Sequence, residues 1–83
     1  MAAATAVLAA EGGVEFSGEV ENVLVPGIKG QFEILTDHAP IISTLGKGYV
    51  EYGTREGKVR LNILGGFVEV QKNVVSLCVE VKE

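Results

Sequence analysis

Lys58-Val59-Arg60-Leu61-Asn62-Ile63 alternates polar and apolar residues, and Val75-Ser76-Leu77-Cys78-Val79-Glu80-Val81-Lys82 repeats the pattern near the end of the chain. Successive side chains on a strand point to opposite faces, so Val59, Leu61 and Ile63 share one face. Val75, Leu77, Val79 and Val81 do the same in the second run. Both stretches read as half-buried strands, with Leu61 and Leu77 in the interior. Outward from them lie shorter runs at 20–25, 31–35, 41–45, 49–54 and 66–71. Turn signals separate them at Pro26-Gly27, Gly46-Lys47-Gly48, Arg55-Glu56-Gly57 and Lys72-Asn73. Short strands broken by a turn roughly every 8–12 residues indicate a sandwich or barrel. No strands alternate with long helices, which excludes a parallel α/β sheet. The fold class is all-β. Residues 1–10 leave two options open, a strand or a short helix. Their alanines favour helix, but so short a helix is marginal in water and Gly12-Gly13 would end it. Gly65-Gly66 ahead of Phe67 suggests a bulge or a close backbone approach.

The 83 residues make a single domain spanning 1–83. A composition of 47% hydrophobic and 22% charged residues is that of an ordinary globular chain and argues against disorder. The net charge of −4 and a pI near 4.9 argue against nucleic acid or anionic lipid as a direct partner, since both need a basic face. The cations Lys29, Lys47, Arg55, Lys58, Arg60, Lys72 and Lys82 are scattered singly along the sequence. The single cysteine, Cys78, excludes an intrachain disulfide. No apolar run reaches the length of a membrane span, and no Lys or Arg precedes the apolar start as a signal peptide requires. The expected location is cytoplasmic, with membrane association only through a partner.

Candidates for chemistry fail on their surroundings. His38, the single histidine, follows Asp37, which is badly placed to orient the same ring, and no nucleophile-elbow pattern accompanies Ser43 or Thr44. One His and one Cys far apart in sequence do not make a metal site. Gly46-Lys47-Gly48 begins like a phosphate loop, but the second glycine-lysine pair and the following Ser or Thr are missing. Read as a dinucleotide fingerprint it places Glu51 where the third glycine belongs. No enzyme, cofactor or metal is expected.

Four segments then fall in a recognisable order: Phe16-Ser17-Gly18-Glu19-Val20; Val25-Pro26-Gly27-Ile28-Lys29-Gly30-Gln31-Phe32; Leu35-Thr36-Asp37-His38-Ala39-Pro40; and Gly65-Gly66-Phe67-Val68-Glu69-Val70. Together they resemble the epsilon subunit of F-type ATP synthases, called delta in mitochondria, over about residues 16–81. The resemblance implies a ten-stranded β-sandwich of two five-stranded sheets. It also implies a place at the foot of the central stalk, between the gamma subunit and the polar loops of the membrane c-ring. Carried over position by position, Gly30, Gln31 and Phe32 match the loop that meets the c-ring. His38, Ala39, Pro40 and Thr44 match the surface facing gamma. The chain departs from the pattern at Thr36, where proline is common, at Glu33, where glycine is frequent, and in its Ala-rich first segment. It also lacks the C-terminal two-helix hairpin.

Two functions are consistent with these features. The one favoured by motif order is a non-catalytic rotor subunit of a proton-translocating F-type ATP synthase, at the cytoplasmic face of the bacterial inner membrane. It would couple gamma to the c-ring. The alternative is a free-standing β-sandwich that binds a small ligand or peptide.

Overall fold

A computed structural model describes residues 4–11, 13–35 and 40–82. These form eight strands: β1 (Ala4–Ala10), β2 (Gly13–Val20), β3 (Asn22–Gly27), β4 (Gly30–Leu35), β5 (Ile41–Leu45), β6 (Gly48–Thr54), β7 (Gly57–Gln71) and β8 (Val74–Val81). The Ala-rich start is a strand. Ala4, Ala6 and Leu8 are buried in alternation, and β1 pairs antiparallel with β2 and parallel with β8. Two neighbouring ladders thus override the helix propensity of alanine.

The ladders sort into two layers. One runs β2-β1-β8-β7-β5, using the second half of β7 against β8 and β5. The other runs β4-β3-β6 and ends on the first half of β7. The layers touch edge to edge through the pair Gly27↔Leu45. The all-β sandwich stands. Eight strands appear rather than about ten, in part because the two runs read at 58–63 and 66–71 are one 15-residue strand. Counted by halves, the layers contain five and four strands.

The corner in β7 explains its length. The register shifts between Ile63 and Gly65, and Gly66 has φ of 151°. A Cβ on Gly66 would lie 2.2 Å from the Cys78 carbonyl oxygen and 2.8 Å from the Val79 Cα. Only glycine lets β7 pass this close to β8. The irregularity also reverses the strand's parity. Ile63 points inward, but so do Val68 and Val70, an odd number of residues later. One strand therefore lines the core from both layers, with Leu64 and Phe67 turned outward.

Three sequence expectations need correction. The run read at 20–25 is not one strand: β2 ends at Val20 and β3 begins at Asn22. Pro26-Gly27 is not the turn: Pro26 pairs with Gln31 and Gly27 with Gly30, leaving Ile28-Lys29 as the connection. Pro26 instead lies one residue before the end of β3, its carbonyl accepting the Gly46 N–H at 2.8 Å. It lies in the space that Gly48 leaves free, where a Cβ would come 2.8 Å from the proline's own Cβ. Leu61 is not fully interior either. Leu77 is 1% exposed, whereas Leu61 is half-buried and Val59 is 43% exposed. Near the β6–β7 turn Phe16 packs against Tyr52, with ring centroids 4.5 Å apart. Val59 lies in an open depression with Phe16 and Thr54. The other three expected turns are found, at Gly46-Lys47, Arg55-Glu56 and Lys72-Asn73. Lys72 and Asn73 both have positive φ, 51° and 62°, as a two-residue type I′ hairpin requires.

Candidate functional site

The strand directions bring three connections to one end of the sandwich: the β3–β4 turn at Ile28-Lys29, the β5–β6 loop at Gly46-Lys47, and the β7 corner. Gly30 and Gln31 are exposed there. Phe32 is half-buried against the core, and a Cβ on Gly27 would meet its Cε1 at 2.8 Å. Of the three residues matched to a ring contact, two are free and the third anchors the turn. A shallow depression unites Gly27, Lys29, Gly30 and Phe32 with Ser43 and Thr44. Thr44 therefore neighbours the turn, although the sequence pattern assigns it to the other surface. Pro40 is exposed at the opposite end of β5, beside Ile42 and Gln71. His38 and Ala39 lie outside the described residues.

Cross-strand register extends the surface around Thr44. Thr44 pairs with Phe67, Phe67 with Cys78, Cys78 with Ala9, and Ala9 with Val14, which makes one row across the five-strand layer. The next row is Ile42, Glu69, Ser76, Val7 and Ser17. Ile42 is 75% exposed, Val14 62% and Phe67 50%, with Cys78 exposed between them. This apolar outer face escapes a reading by alternation, because Phe67 stands at the parity of Glu69. The signal for it was the glycine pair that resets that parity.

The outer face of the other layer is polar and internally paired. Arg60 donates from Nε and Nη2 to Glu51 Oε1 at 3.1 and 2.9 Å, Lys58 Nζ lies 3.9 Å from Glu51 Oε2, and the Arg60 guanidinium sits 4.1 Å above the Tyr49 ring. The hydrogen bonds that Arg60 donates to Glu51 are the main cause that raises its pKa above the usual value. Asn22 donates to Glu33 on the same face. The two faces thus differ in their polar groups: this one holds a paired charge cluster beside exposed Leu35 and Leu64, whereas the five-strand layer exposes Ile42, Phe67 and Val14 without such a cluster among the described residues. Among the described residues no group of three His, Cys, Asp or Glu is placed to hold a metal ion.

The family described as ATP synthase, Delta/Epsilon chain, beta-sandwich domain matches residues 5–83. The ATP synthase epsilon chain of Leptospira borgpetersenii serovar Hardjo-bovis (strain JB197) is 44% identical over 62 residues, 75% of this chain and 49% of that protein. The ATP synthase epsilon chain of Chlorobaculum tepidum is 38% identical over 66 residues, 78% of this chain and 75% of that protein. The chain spans about half the length of its Leptospira relatives. In fold it is similar to a chain of the Euglena gracilis mitochondrial ATP synthase, with a TM-score of 0.88 at 22% identity over 95% of this chain and 51% of that one. A chain of the Tetrahymena thermophila mitochondrial ATP synthase central stalk and c-ring gives 0.76 at 12% identity, covering 92% and 62%.

Proposed function

This chain belongs to the delta/epsilon β-sandwich family of ATP synthase, and we propose that it is a non-catalytic rotor subunit joining gamma to the c-ring of a proton-translocating enzyme. It works at the cytoplasmic face of a bacterial inner membrane, held there by its partners. The turn end with Gly30 and Gln31 meets the ring, and Phe32 fixes that turn to the core. His38, Ala39, Pro40 and Thr44 face gamma, and the outer row through Phe67 and Cys78 extends their surface.

The observation that supports this most is the contrast between the two outer faces. A rotor element needs two distinct contact surfaces on one stiff body. The five-strand layer leaves Ile42 and Phe67 exposed beside Thr44 and Val14 exposed on its far edge, while the turns at one end expose Lys29, Gly30, Gln31 and Lys47 together with Ile28. Close packing of the two layers supplies stiffness.

Disulfide trapping tests the orientation. In a Cys78→Ala background, a cysteine at Gln31 should cross-link to a cysteine placed on the ring loop, and one at Thr44 should cross-link to gamma. Cross-links from Gln31 to the catalytic head alone would show that the domain points the other way. Independently, His38→Ala should weaken gamma binding without unfolding the chain. Unchanged binding with a collapse in stability would make His38 a structural residue instead.

A further inference from the structure

At the turn end, the Ile28-Lys29 turn and the Gly46-Lys47-Gly48 loop form one unit. The Gly46 N–H donates to the Pro26 carbonyl at 2.8 Å, and Gly48 lies against the Pro26 ring. Each connection presents an exposed lysine, Lys29 and Lys47. Among the described residues neither has an ion pair, whereas Lys58 and Arg60 both bind Glu51. Glu33 on β4, Glu80 on β8 and Glu11 in the β1–β2 connection lie toward this end, but none of them makes an ion pair with either lysine. Ile28, 66% exposed, stands beside Lys29. A chain of net charge −4 thus has two uncompensated cations on one hydrogen-bonded platform.

We infer that Lys29 and Lys47 form a two-point cationic contact for carboxylates on the ring loops, so that the β5–β6 loop is part of the ring interface and the partner surface is acidic. This rests on the ring orientation proposed above. Charges at the rim of an interface act mainly on encounter and register, and their effect falls with salt.

The test is binding of the chain, assembled with gamma, to purified c-ring in neutral detergent across a salt series. Lys29→Gln with Lys47→Gln should weaken binding roughly 3–10-fold at low salt, as expected for two exposed pairs, and flatten the salt dependence. Each single variant should fall between, and Lys→Arg at both sites should retain affinity. Thermal melts matching the parent would exclude a folding defect. Unchanged affinity and salt slope, with the Gln31 cross-link still forming, would overturn the inference while the ring orientation stood. Loss of that cross-link in the parent, together with no ring binding, would remove both. A charge effect seen only with anionic lipid present would assign the lysines to the membrane and overturn the inference equally.

Discussion

Gly66 is the residue on which the fold depends most sharply. With φ of 151° and the Cys78 carbonyl 2.2 Å from any Cβ, Gly66→Ala should cost at least ~3 kcal/mol, a large share of the roughly 4–12 kcal/mol expected for a chain of this length. Urea melts would measure it, and a loss under ~1 kcal/mol would mean that β8 yields easily. The same melts separate the two leucines, which alternation alone treats as equivalent. Leu77→Ala should cost ~2–5 kcal/mol, and half-buried Leu61→Ala about 1–2. Tyr52 adds a pH dependence. Burial first, and the charge of Glu15 second, raise its phenol pKa above the ordinary value. The folded state therefore holds the proton more tightly than the unfolded one. That stabilisation is complete below about pH 10 and is lost as pH rises through the folded value. Tyr52→Phe should remove this alkaline loss from a pH series of melts, and an unchanged profile would assign it elsewhere.

Strands and turns were legible in the sequence where one physical rule acted alone. The alternation at Val75, Leu77 and Val79 predicted burial, and all three are buried. The rule weakened at 58–63, because position along the strand matters as well as parity, and Val59, the cross-strand partner of Tyr52, borders an open depression beside Phe16. The Ala-rich start was undecidable locally, since its state is set by β8, which lies far along the chain. Pro26-Gly27 misled because proline also tolerates the end of a strand. The site followed the same division. Motif order pointed to Gly30, Gln31 and Thr44, but the row through Phe67 requires the register of five strands. Lys72, by contrast, is a turn residue in a conformation that non-glycine residues other than Asn and Asp rarely adopt. Lys72→Asn should stabilise by about 0.5–1 kcal/mol, seen as a higher urea midpoint at constant slope. A lower midpoint would mean that the lysine has a role in this turn that asparagine cannot replace.

At the scale of the whole domain, the two outer faces should respond differently to mutation. Phe67→Lys puts charge on the face proposed for gamma and should weaken gamma binding ~10-fold or more, with stability changed by no more than about 0.5 kcal/mol. Arg60→Ala, on the self-paired face, should leave gamma binding unaltered. Equal losses from both variants in a titration against gamma would assign the wrong face. The proposed ring and gamma contacts also lie close together along the chain. Thr44 and Lys47 are three residues apart, a span of at most ~10 Å of extended chain. Leu64 at the β7 corner and Phe67 on the outer face have the same spacing. A load entering at the turns would reach the gamma face through these short covalent segments, without first straining the apolar contacts between layers. The domain would then have almost no torsional compliance. Any energy stored elastically between successive ion-driven steps of the ring would reside in the longer parts of the rotor, and this domain would act as its rigid coupling.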